Sequence, residues 1–156
     1  IVDRALHLRD LLKFEFFFAP KKEFADEVRI EIERYRIDQS EPGGPVLVDV
    51  EAMTPPKRPI VLRPFLEAIF VTASALTTFQ GPVDVDELRA ASLALGEQLY
   101  AERAILAHEA VSTALFASTA ELIDNRGLLD ASPDEREAFA ADVAEIVEAL
   151  NAVATL

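Results

Sequence analysis

The chain has 156 residues, 51% of them hydrophobic, which is enough for one domain with a packed core and argues against disorder of the whole chain. With 15 basic against 28 acidic side chains the formal net charge is −13, a balance that repels phosphate backbones and anionic headgroups and so argues against a nucleic-acid partner and a polybasic membrane anchor. No Cys is present, which excludes disulfides and thiol chemistry.

Ala and Leu dominate, and both are strong helix formers, so the fold class predicted is all-α: a bundle of about six helices forming one domain over residues 1–156. Residues 2–18 read as a first helix, with Ala5, Leu8, Leu12 and Phe16 on one stripe and an aromatic tail from Phe14 to Phe18. Pro20 suits the first turn of a second helix that runs to Tyr35. Phe24, Val28, Ile32 and Tyr35 form its apolar stripe, and Glu23, Glu27, Glu31 and Arg34 its solvated face. Residues 38–59 change character. Pro42-Gly43-Gly44-Pro45 and Thr54-Pro55-Pro56-Lys57-Arg58-Pro59 cannot continue a helix, which makes this a long Pro/Gly-rich connection, with Val46–Val50 as a short extended piece.

A third helix starts at Arg63-Pro64 and is apolar on most of its wheel, the mark of a central helix. Its surroundings, Ile60–Phe79, carry Arg63, Pro64 and Glu67, and the charge-free part falls short of the roughly 20 apolar residues of a membrane span. Asp84 followed by Glu87 marks the start of a fourth helix, with Leu88, Ala91, Leu95 and Leu99 inward. A fifth is expected from Ala107 to Asn125, with Ala110, Val111, Ala114, Leu115, Ser118 and Leu122 inward and Gly127 as its C-terminal cap. Ser132-Pro133-Asp134-Glu135 opens the last helix, whose core face is Phe139, Val143, Ile146, Val147 and Leu150.

Chemistry-bearing patterns are missing. Neither His7 nor His108 follows a Glu at helical spacing, and no His-Glu-x-x-His exists, so no metal site is expected. No Gly-x-Ser-x-Gly elbow and no phosphate-cradling loop occur. Paired carboxylates such as Asp84 and Asp86 read as capping or solvated residues in so acidic a chain. No catalytic residue and no cofactor is assigned. The chain begins at Ile1 and its one Met is Met53, so it reads as a piece of something longer, and it carries no signal-peptide pattern.

Three stretches together resemble the bacterial membrane-associated glycerol-3-phosphate 1-O-acyltransferases. Leu8-Arg9-Asp10-Leu11-Leu12-Lys13-Phe14-Glu15-Phe16 is similar to the segment after that family's catalytic domain. Leu62-Arg63-Pro64-Phe65-Leu66-Glu67-Ala68 resembles its "RPFLEAY" helix start, with Ile69 in place of the common aromatic. Glu109-Ala110-Val111-Ser112, continued by Leu115-Phe116-Ala117 and Asp124-Asn125-Arg126-Gly127-Leu128-Leu129, resembles its "EAVSK-LF-A…NRGLL" stretch, with Thr113 replacing the basic residue. The Ala-, Asp- and Arg-rich style suggests an actinobacterial member.

The resemblance implies a parent enzyme that moves an acyl group from a thioester to glycerol 3-phosphate, giving lysophosphatidic acid at the cytoplasmic face of the membrane. It also implies that a His and an Asp with four residues between them do the acid–base work. Here Leu12 stands five residues after His7 and Thr113 five after His108, so the active site is expected upstream. This piece is then a soluble, C-terminal, non-catalytic domain whose partner is the upstream acyltransferase domain, with membrane contact made through the parent. Candidate residues for that domain interface are Phe14, Phe16, Phe17 and Phe18, more aromatics than one small helix absorbs, and Arg63 with Glu67, one helical turn apart. The alternative is a freestanding helical interaction or regulatory module. A helix-turn-helix DNA reader is disfavoured because no helix shows a Lys/Arg face.

Overall fold

Residues 1–36 and 59–154 are described by the computed structural model. Among them the chain forms six α-helices and two short 3-10 turns and no strand, the all-α architecture its composition predicts. The expected connection falls at 38–58, outside the described residues, while Pro59 opens a 3-10 turn, Pro59–Leu62. The described residues fall into two compact units, divided just before Pro59.

The first unit pairs α1 (Val2–Leu11) with α2 (Lys21–Arg34). The expected first helix stops seven residues early. Successive residues on a helix turn by about 100°, so the run Phe16-Phe17-Phe18 cannot share one face. The chain instead turns at Leu12, whose carbonyl accepts from both the Glu15 and Phe16 amides at 3.0 Å. The turn lets Phe18 meet Phe24 edge to face at 5.6 Å. Arg9 ties the turn down by donating to the Ala19 carbonyl through Nε (3.3 Å) and Nη2 (2.9 Å). On α2, Phe24, Val28, Ile32 and Tyr35 are half-buried and Glu23, Glu27, Glu31 and Arg34 exposed, as the periodicity predicts.

The second unit is built around α3 (Arg63–Leu76), which packs on α4 (Val85–Ala101), α5 (Thr113–Asn125) and α6 (Pro133–Ala154). Leu66, Ala68, Ile69, Val71, Ala73, Ala75 and Leu76 are buried, so α3 is covered nearly all round. Each fully buried Leu, Ile or Val contributes about 1.5–3 kcal/mol relative to exposure. The α3–α4–α5 crossing is close because α4 offers no side chain there. A Cβ on Gly96 would lie 3.0 Å from Cζ of Phe116, itself fully buried.

The caps follow the sequence signals. The Asp84 carboxylate accepts the Asp86 and Glu87 amides. Ser132 and Glu135 form a reciprocal capping box at α6. Its hydrogen bonds, first from the Ser132 hydroxyl and then from its amide, hold the Glu135 carboxyl below its ordinary range. Gly127, at φ +71°, closes α5 with Leu128 N–H bonded to Ile123 and Gly127 N–H to Asp124.

Two inward faces differ from expectation. The fifth helix starts at Thr113, not Ala107, because the stretch before it serves another purpose described below. Its buried face is accordingly Phe116, Thr119, Ala120, Leu122 and Ile123, and Ala114 is exposed. On α4 the innermost positions are Leu88, Ser92 and Gly96, with Ala91, Leu95 and Leu99 half-buried.

Candidate functional site

The residues singled out in the sequence lie in both units, the four Phe in the first and Arg63 with Glu67 in the second, and they divide into those that build the fold and those that face outward. In the first unit the four Phe do not act alike. Phe16 and Phe18 are half-buried, 6.1 Å apart, with the Arg9 guanidinium 5.8 Å from the Phe18 ring. Phe14 is exposed and Phe17 fully so. Lys13 places its ammonium 5.0 Å from the Phe14 ring centre. The turn is anchored electrostatically by Asp10, which meets Arg9 at 3.0 Å and Lys21 at 2.5 Å. Burial alone would raise the Asp10 carboxyl, but the hydrogen bonds and charges of Lys21 and Arg9 together outweigh it and hold the group below its ordinary value.

In the second unit Arg63 and Glu67 pair as their spacing predicts, Nη1 to Oε1 at 3.2 Å, and both are buried. The same Nη1 donates to Oδ1 of Asn151 on α6 at 2.5 Å. Glu67 then accepts the Leu106 amide at both oxygens (3.0 Å each) and the Ala107 amide at Oε2 (2.7 Å). A charge buried this deeply is tolerated when its partners satisfy it, as here. The carboxylate therefore pins the loop at Leu106 and Ala107, with Ile105 and Ala107 inward and Leu106 outward, ahead of the start of α5 at Thr113.

Arg136 was not visible as special in the sequence. It looks like one more charge on an acidic helix, yet it is fully buried. Its guanidinium donates to four backbone carbonyls: Leu128 at 3.0 Å, Phe79 at 3.1 Å, Gly81 at 2.8 Å and Leu129 at 2.6 Å. Those carbonyls lie in the two turns that precede α4 and α6, so Arg136 pins both. Its position one residue past the Glu of the capping box, three before Phe139 on the core stripe, is the sequence signal that could have found it.

His108 stacks edge to face on Tyr100, 5.0 Å away, at the exposed end of α4. No cluster of potential metal ligands occurs among the described residues. A shallow cleft of about 280 Å³ between α4 and the start of α5 is lined by Asp86, Arg89, Ala90, Leu93, Thr113 and Phe116. Asp86 and Arg89 satisfy each other there at 3.1 Å. Among the described residues, no helix is long and apolar enough to cross a membrane.

Comparison with known proteins gives a family. The pattern described as the glycerol-3-phosphate acyltransferase C-terminal region matches residues 1–132. Proteins provisionally named acyltransferase plsB1, from Mycobacterium bovis and from two strains of Mycobacterium tuberculosis, are 31% identical over 164 residues. That alignment takes in 99% of this chain and 26% of each relative, so the chain spans about a quarter of their length. No solved structure matches it.

Proposed function

Because the chain belongs to the glycerol-3-phosphate acyltransferase C-terminal-region family, we propose that it is the non-catalytic helical domain of a longer glycerol-3-phosphate 1-O-acyltransferase. It supports a catalytic domain that lies before Ile1 on the same polypeptide. That enzyme joins the first hydroxyl oxygen of glycerol 3-phosphate to the acyl carbonyl carbon of a thioester. The carbon–sulfur bond breaks, the thiol leaves with the hydroxyl proton, and lysophosphatidic acid is formed. The longer protein works as a peripheral protein at the cytoplasmic face of the membrane, at the start of phospholipid synthesis.

The family match over residues 1–132 carries the reading. The chemistry of the chain supports it. A general base for an alcohol has to be positioned by an acidic partner, and no His here has an Asp five residues on. Arg63 and Glu67, the buried ion pair, are spent on each other, on Asn151 and on loop amides. Their contribution to a larger enzyme is to hold the α3–α6 unit rigid.

The coding sequence upstream of Ile1 tests the proposal. The expected finding is an open frame with a His-x-x-x-x-Asp block. A start codon at Ile1 with no such block before it would show the chain to be a free-standing module.

A further inference from the structure

We infer that the helix pair α1–α2 completes its core on the upstream acyltransferase domain. The inference deepens the function proposed above, and rests on it for the partner.

The described part of the first unit buries little. Leu11, Leu12 and Ala25 are its buried hydrophobic side chains, fewer than α3 buries alone. Along the stripe of α2, Phe24, Val28, Ile32 and Tyr35 are half-buried, and on α1 so are Val2, Ala5, Leu6 and Leu8. Ile1, Phe14, Phe17 and Ile30 are exposed. Helices of 10 and 14 residues are marginal by themselves in water, where a length of about 12–15 residues is the threshold. Folded pieces below about 40 residues usually need a disulfide, a metal or a partner. The chain has no Cys, and no group of potential metal ligands occurs among the described residues. A partner surface is what remains.

Tether, length and charge select the partner. α1 begins at Val2, so in the longer polypeptide the preceding domain is joined at the foot of the pair. A surface held by so short a link is present at roughly millimolar effective concentration. The matched family is the C-terminal region of an acyltransferase, and the chain spans about a quarter of its relatives, so the tethered neighbour is large. Residues 1–36 carry eight basic and eight acidic side chains, whereas residues 59–156 carry five and sixteen. The pair is therefore the part of the chain that meets another protein surface without net repulsion. The same balance gives it no cationic excess for an anionic bilayer.

Amide hydrogen exchange, compared in the 156-residue chain and in the longer polypeptide in the same detergent, tests the inference. In the 156-residue chain the amides of α2 should exchange faster than those of α3. In the longer polypeptide those of α2 should slow at least about tenfold, with α3 unchanged. Val28→Ser in the longer polypeptide should return α2 to the fast rate and speed exchange at one patch of the upstream domain. Leu106→Ser, on the second unit, should do neither. Equal α2 exchange in the two proteins overturns the inference. So does α2 protection that rises with the concentration of the 156-residue chain, which assigns the face to a second copy. Protection gained by the 156-residue chain from phosphatidylglycerol vesicles alone, matching that of the longer polypeptide, overturns it in favour of lipid. None of these results touches the acyltransferase reading, which fails separately if the longer polypeptide transfers no acyl group to glycerol 3-phosphate.

Discussion

Glu67 holds two structures at once: the Arg63–Asn151 contact that ties α3 to α6, and the two amides that shape the loop after α4. Removing one member of a buried pair typically costs about 3–5 kcal/mol, because the other charge stays buried without its partner. Glu67→Gln keeps an acceptor and loses the charge, so urea unfolding should show a loss toward the lower end of that range. Hydrogen exchange at the Leu106 and Ala107 amides should accelerate more than exchange across α5. Equal acceleration everywhere would mean that the carboxylate stabilises the fold without shaping the loop. Asp10 makes a prediction of the opposite exposure class. Its carboxyl titrates in the folded chain below the ordinary Asp value of about 3.9. Its contribution is therefore complete above about pH 4 and is lost as the pH falls through the folded value. Asp10→Asn should flatten the acid limb of stability measured by circular dichroism, and an unchanged limb would contradict the role given to Lys21 and Arg9.

At the scale of elements, Gly96 sets how closely α4 lies against α3 and α5. Ala in a helix interior is favoured over Gly by about 1 kcal/mol. Against that, a methyl group 3.0 Å from the Phe116 ring has to move a fully buried side chain, and overpacking of this kind costs about 1–3 kcal/mol. The steric term prevails, and Gly96→Ala should lower stability by about 1 kcal/mol in thermal unfolding. The C-terminus of α4 errs the other way. Arg103 sits at φ +61° where glycine is preferred, with Ala104 N–H bonded to Leu99 and Arg103 N–H to Tyr100. Arg103→Gly should raise the melting temperature, by the equivalent of about 1 kcal/mol.

These two sites also show what the sequence makes legible. Helix starts at Asp84 and Ser132 and the stop at Gly127 were readable because capping chemistry is local. The i,i+4 pairing of Arg63 with Glu67 was readable for the same reason. The early end of α1, the late start of α5 and the burial of Arg136 were not. Each depends on partners distant in sequence: Arg9 on Ala19, Glu67 on Leu106, Arg136 on Phe79. Helical periodicity carries no information about such contacts.

For the molecule as a whole, the features argued above have one sense. Its strongest polar interactions, those of Arg63, Glu67 and Arg136, are internal and satisfied by side chains and backbone of the same unit. Among the described residues, Phe17 is the most exposed of the large hydrophobic side chains. In the function proposed above, such a unit supports chemistry performed elsewhere on a longer polypeptide. The family match and the quarter-length alignment to the mycobacterial acyltransferase relatives are what support that proposal.

The most direct test is an acyl-transfer assay with glycerol 3-phosphate and an acyl thioester, run on the purified 156-residue chain and on the longer polypeptide that contains it. The account predicts lysophosphatidic acid from the longer polypeptide, a yield that falls when Glu67→Gln loosens the α3–α6 unit, and none from the 156-residue chain. Product made by the 156-residue chain alone would contradict it.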